Sequence, residues 1–140
     1  MIRFTIPGVP VAKGRARIGR TRSGQPIAFT PGKTRSYEAL VALAAQQAMQ
    51  GRAPFPKDQA LFLRVDAYLP VPASWSRKKQ QAALDGAIRP SARPDLDNFV
   101  KATLDGLNGI LFADDSSIVQ IWAAKMYGDV PRLVVEAAVV

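Results

Sequence analysis

The sequence predicts a single α+β domain: a small mixed β-sheet with three helices packed on it, ending in a C-terminal β-hairpin. Three observations lead there. Three segments repeat apolar residues at helical spacing, while others alternate or run β-rich between Pro and Gly punctuation. The chain of 140 residues, 48% hydrophobic, is long enough to bury one continuous core without disulfides or a structural metal. The resulting order, β-α-β-α-α-β-β, shows no internal repeat and no linker, so residues 1–140 form one domain.

Residues 3–6 read as a short strand stopped by Pro7. Residues 7–33, rich in Gly, Pro and Arg, read as a long basic loop or loose hairpin, a length that suggests function. From 36 to 50 the positions Tyr37, Leu40, Val41, Ala44, Ala45 and Ala48 mark one helix face, with Gly51 as its stop. Leu61, Leu63, Val65, Ala67 and Leu69 form the apolar face of a strand closed by Pro70 and Pro72. A basic helix follows over 77–84, capped by Ser74 or Ser76 and ended by Gly86. Residues 87–94 form a loop. The third helix starts near Asp95 and ends at Asn108-Gly109. Its apolar stripe is Leu96, Phe99, Val100, Leu104 and Leu107, so Asp97, Asn98, Lys101 and Asp105 face elsewhere. The hairpin takes strands 118–126 and 133–140, turned by Gly128-Asp129-Val130-Pro131.

Two absences narrow the chemistry. With no Cys there are no thiol nucleophiles, disulfides or zinc–thiolate sites, and with no His there is no imidazole base or His-ligated metal. Carboxylates, Lys, Arg, Ser, Tyr or a bound cation must do any catalysis. No run approaches the roughly 18 apolar residues of a membrane span. Pro7, Gly8 and Pro10 interrupt the first apolar run, so no signal peptide is expected and a cytoplasmic protein is.

The net charge of +8 is uneven. Residues 1–35 carry eight bases (Arg3, Lys13, Arg15, Arg17, Arg20, Arg22, Lys33, Arg35) and no acid. Residues 74–93 add Arg77, Lys78, Lys79, Arg89 and Arg93 against Asp85 alone, whereas 94–140 hold seven acids against three bases. Such asymmetry suggests a polyanion held by the basic part and a cation held by the acidic part. Lys13, Arg15, Arg17, Arg20, Arg22, Lys33, Arg35, Arg77, Lys78, Lys79 and Arg93 are the expected nucleic-acid contacts. Trp75 and Trp122 read as core or interface anchors rather than base-stacking platforms, and Tyr37 as packing.

Taken singly, the acids are unremarkable in type. Asp95 and Asp97 suit a helix N-terminus on dipole grounds alone, Lys101 is spaced for an ion pair with Asp97, and Asp114-Asp115 suits a solvated turn. Together they suggest more. Burial of Leu111 and Phe112 would draw Asp114-Asp115 back towards sheet and helix, and a hard cation such as Mg²⁺ takes oxygen ligands while keeping waters. Neither His nor Cys is needed for that chemistry.

The run Asp95-Leu96-Asp97-Asn98-Phe99-Val100-Lys101-Ala102, then Asp105-Gly106-Leu107-Asn108, then Leu111-Phe112-Ala113-Asp114-Asp115, and finally Val119 with Lys125, resembles the RusA family of Holliday-junction resolvases. Further likeness lies in Ile6-Pro7-Gly8-Val9-Pro10 and Lys33-Thr34-Arg35-Ser36-Tyr37, which are typical of phage-borne members. In one departure, Pro94 stands immediately before the first Asp, where the family often has a base; Arg93 is one place further back. The resemblance implies a homodimeric, Mg²⁺-dependent endonuclease, with Mn²⁺ as an alternative, that binds four-way DNA junctions and resolves them by paired symmetric nicks. It implies Asp95, Asp97 and Asp115 as metal-binding carboxylates, Asp114 as a further ligand or a group behind them, and Lys101 as the catalytic cation. A two-fold dimer matches the two-fold junction. The apolar run 134–140 could pair across the dimer or be covered within its own chain. Two other readings stay open: a non-enzymatic basic DNA-binding module, and a metal nuclease for other branched DNA.

Overall fold

The computed structural model describes residues 1–14, 17–29 and 32–140. Ten elements follow one another. They are β1 (Ile2–Pro7), β2 (Arg17–Arg20), β3 (Pro26–Phe29), α1 (Gly32–Met49), β4 (Leu61–Pro70), α2 (Arg77–Leu84), α3 (Leu96–Leu107), a 3₁₀ turn at Asp115–Ser117, β5 (Ile118–Gly128) and β6 (Arg132–Val139). The expected α+β class with a mixed sheet and three helices is what forms.

The four-stranded sheet has the order β1-β6-β4-β5. β6 is antiparallel to both β1 and β4, and β4 is parallel to β5. Parallel neighbours need a long crossover, and α2 and α3 supply it. β4 earns its inner place by composition: Leu61, Leu63, Val65 and Ala67 are buried on one face, and Asp66 is buried on the other. The expected C-terminal hairpin is therefore corrected. β5 and β6 are consecutive and joined by a turn at 129–131, but β4 lies between them and they do not pair. The turn passes the end of β4, where Pro70 is opposite Gly128. Turn signals are local and do not say which strand fills the gap. As a result the run from Leu133 to Ala137 is interior, covered within its own chain, and the sheet's edges are β1 and β5.

The helical layer depends on close approach. α1 begins four residues earlier than expected, because Thr34 is buried and its hydroxyl accepts a hydrogen bond from Gly14 N at 3.0 Å. The buried face is Thr34, Tyr37, Val41, Ala45 and Met49, and Leu40 turns outward. On α3 the buried face is Phe99, Ala102, Thr103, Gly106 and Leu107, rotated from the large-residue stripe Leu96-Val100-Leu104. Small residues explain the rotation. A Cβ added at Gly106 would lie 2.8 Å from Val41 Cβ and 2.9 Å from the Glu38 carbonyl oxygen, so α1 crosses α3 on bare backbone there. The basic segment after β1 folds partly as the looser alternative, with β2 and β3 pairing as a two-stranded hairpin outside the main sheet.

Candidate active site

The first turn of α3 presents two acids to solvent. Asp95 is the N-cap, with extended backbone (φ −69°, ψ 146°), yet its side chain makes no capping hydrogen bond. This differs from the cap that composition alone suggests, since Asp usually closes on a free N–H of the first turn. Asp97, exposed in that turn, forms no salt bridge among the described residues. Beside them Ala12, Lys13, Arg93, Pro94, Asp95 and Asn98 line an open cavity of about 360 Å³. Two ties hold its walls. Lys13 N donates to the Asn98 carbonyl at 2.8 Å, bringing the N-terminal segment onto α3. Lys125 Nζ, from β5, donates to the carbonyls of Ala92 and Pro94 at 2.7 and 2.9 Å.

One turn on, α3 carries acids and bases that are fully engaged. Lys13 Nζ reaches Glu38 Oε1 at 2.7 Å and Asp105 Oδ2 at 3.0 Å, while Lys101 Nζ reaches Asp105 Oδ1 at 3.1 Å. Lys101 thus pairs with the acid four residues after it, not with Asp97 four residues before. Partial burial pushes the Asp105 pKa up, but hydrogen bonds and charge from Lys13 and Lys101 outweigh it and hold the carboxyl below its ordinary value. Burial likewise pushes Lys13 down, and Glu38 and Asp105 more than reverse it, holding the ammonium above its ordinary value. Glu38 went unnoticed in the sequence, although it is the first acid after eight bases.

Asp114 and Asp115 are placed elsewhere. Leu111 and Phe112 are fully buried as expected, but they anchor to Phe55 and to the turn closing α3, not to its start. The α3 helix of 12 residues rises about 18 Å, so these acids lie at its opposite end. The strand agrees: Lys125 marks the Asp95 end, and Ile118, just after the 3₁₀ turn, is seven residues away along β5, roughly 23 Å. Among the described residues no group of three or more acids is close enough to hold a metal ion. One chain therefore brings Asp95 and Asp97 together and does not bring Asp115 to them. The Asp114 carboxylate accepts from Ser116 N at 3.3 Å and caps the 3₁₀ turn, which lowers its pKa. Asp115 has no such use.

The expected DNA-contacting cations are distributed over three surfaces. Arg20 and Arg22 are exposed on the β2–β3 hairpin, where Arg20 also donates to the Gly24 carbonyl at 3.0 Å. Arg15 lies outside the described residues, and only the backbone of Arg17 is described. Lys33 and Arg35 are exposed in the first turn of α1, and Arg77, Lys78 and Lys79 in the first turn of α2, neither of which holds an acid. Cations at the positive end of a helix are unfavourable by a few tenths of a kcal/mol each unless an anion offsets them. Ser76 caps α2 by accepting from Lys79 N. Among the described cations Lys13 is the exception, since carboxylates of its own chain engage it. Trp75 is half-buried, edge-on to Tyr127 at 5.5 Å and with Lys79 Nζ over its ring at 4.1 Å. Trp122 is not core: it is 56% exposed on edge strand β5, with Arg64 stacked on it at 4.1 Å.

Exposed carboxylates at a helix start, beside a cavity lined by Lys13 and Arg93 on a strongly basic α+β domain, suit a protein of the nucleic-acid-processing class. The chain matches the family described as endodeoxyribonuclease RusA over residues 7–137 and belongs to it. That family consists of endodeoxyribonucleases that act on branched DNA junctions. A Bacillus subtilis (strain 168) protein described as uncharacterized protein YqaN is 38% identical over 134 residues, covering 94% of this chain and 92% of the relative. No helix among the described residues is long and apolar enough to cross a membrane.

Proposed function

We propose that this chain is a divalent-metal-dependent endonuclease that resolves four-way DNA junctions by paired symmetric nicks. The observation that carries this reading is the contrast within α3: Asp95 and Asp97 are exposed at its start and, among the described residues, form no salt bridge, while Asp105 is held by two lysines. Unpaired carboxylates with oxygen donors only, in a chain without His or Cys, fit a hard cation such as Mg²⁺ or Mn²⁺. When bound, such a cation acidifies water and shields charge on a phosphate. The chain's own groups do the rest. Asp95 and Asp97 would hold the ion, Arg93 in the adjoining cavity would grip a phosphate, and the Lys101 ammonium, oriented by Asp105, would stand beside the scissile group as a fixed positive charge.

Asp115, at the far end of α3, can serve such a site only from a second protomer, which supports the homodimer. The unpaired outer edge of β5, with Val119, Ile121 and Trp122 exposed, offers a self-complementary surface on which antiparallel pairing would bring opposite ends of two chains together. Mixing Asp97→Asn with Asp115→Asn protein then restores one complete site in mixed dimers, and cleavage returns in part; with both acids in one chain's site, the mixture stays inactive. The function itself is tested by offering a four-way junction, a flap and a linear duplex in one assay with Mg²⁺. Paired symmetric cuts in the junction alone support resolution. Preference for the flap favours a nuclease for other branched DNA, and salt-sensitive binding without cutting favours a DNA-binding module.

A further inference from the structure

We infer that Lys125 is a positioning residue for this site, setting the orientation of Asp95 and Arg93 without touching substrate; the inference rests on the reading of Asp95 and Asp97 as metal-binding acids. Lys125 projects from β5, 31 residues and more along the chain from the loop it grips. Its ammonium bridges two carbonyls that flank Arg93, those of Ala92 and Pro94, at 2.7 and 2.9 Å. Each carbonyl belongs to a planar peptide unit whose other half is the amide of the next residue. Fixing the Ala92 carbonyl therefore fixes the peptide plane that leads into Arg93, and fixing the Pro94 carbonyl fixes the plane that leads into Asp95.

The loop needs such a clamp. Residues 91–95 are exposed, and the Asp95 side chain makes no capping bond that would anchor it to α3. Lys125 pairs with no carboxylate among the described residues, so its charge is directed to these two carbonyls. Charged donors make the stronger class of hydrogen bond, and groups that orient metal-binding side chains from behind are worth as much as about 10–100-fold in metal affinity or activity. A methionine would preserve the stem and remove the donors; an arginine would preserve the donors.

The test uses the full chain with Lys125→Met, Lys125→Arg and Asp97→Asn. Mn²⁺ affinity is read by paramagnetic resonance, and amide hydrogen exchange is followed at residues 93–98. The expected result is Mn²⁺ binding weakened about 10–100-fold in Lys125→Met, faster exchange confined to 93–98, an unfolding midpoint near that of the wild type, and recovery in Lys125→Arg. A folded Lys125→Met protein with wild-type Mn²⁺ affinity while Asp97→Asn loses it overturns the positioning role alone. Faster exchange throughout the chain, with Mn²⁺ affinity of the folded protein intact, also overturns it, leaving a merely structural lysine. Wild-type Mn²⁺ affinity in Asp97→Asn overturns the reading of the site, and the inference falls with it.

Discussion

Asp97 and Asp105 are eight residues apart on one helix, and the chain treats them in opposite ways. Asp105 is half-buried between Lys13 and Lys101 and helps tie the N-terminal segment and α1 to α3 through Glu38. Asp97 and its neighbour Asp95 stand open at the first turn with neither a capping bond nor a salt bridge among the described residues. One acid stabilises the fold; the other two are held available by it. Identical side chains are therefore engaged or left open by the partners that tertiary packing brings, which sequence type cannot reveal.

Breaking the functional side should cost activity and leave stability intact. If Asp95 holds the proposed ion, Asp95→Asn is expected to lower junction cleavage by about 10²–10³-fold in a nicking assay. Its unfolding midpoint should hardly change, since the Asp95 side chain makes no capping bond to lose. Breaking the structural side should do the reverse. Gly106→Ala forces a methyl into the α1–α3 crossing, 2.8 Å from Val41, and should cost about 1–3 kcal/mol in denaturant unfolding.

Asp105→Asn removes the shared partner of two lysines and should cost about 1 kcal/mol, as expected for part-exposed ion pairs. Its pH dependence has a definite sign. The folded pKa of Asp105 lies below its ordinary 3.8, so its stabilisation is complete above that value and is lost as pH falls through the lower folded pKa. Lys13, raised above its ordinary 10.5, gives stabilisation that is complete below that value and lost as pH climbs through the higher folded pKa. Unfolding followed across pH in wild type and Asp105→Asn should show the acid-side loss in the wild type and its reduction in the variant. The smallest effect is expected at Tyr37, whose buried hydroxyl has no hydrogen-bond partner among the described residues and whose pKa burial pushes up. Tyr37→Phe should be neutral or stabilising by up to about 1 kcal/mol in the same assay, because it removes an unsatisfied polar group.

Much of this was legible in the sequence where the signal was local. The spacing from Asp95 to Lys101 placed all three charged residues on the start of one helix, and the alternation from Leu61 to Leu69 marked a strand with a buried face. Of the two expected caps, Ser74 and Ser76, it is Ser76 that starts α2, and Gly86 follows its end. What stayed hidden depended on distant partners. Lys13 looked like a DNA contact because Glu38 and Asp105 are 25 and more residues away in the chain. β5 and β6 looked like a hairpin because nothing near their turn announces that β4 comes between them. Leu111 and Phe112 are buried and carry Asp114-Asp115 with them, but burial fixes depth and not which end of α3 the chain returns to. The large-residue stripe of α3 is not its buried face, because Ala102 and Gly106, too small to stand out in sequence, lie on the side that packs on α1.

The role of Asp97 is decided by comparing wild-type and Asp97→Asn protein on a four-way junction with Mg²⁺, with binding and nicking measured in the same samples. Asp97→Asn is expected to bind the junction as tightly as the wild type and to make no paired nicks. Paired nicking by Asp97→Asn at the wild-type rate would contradict that role.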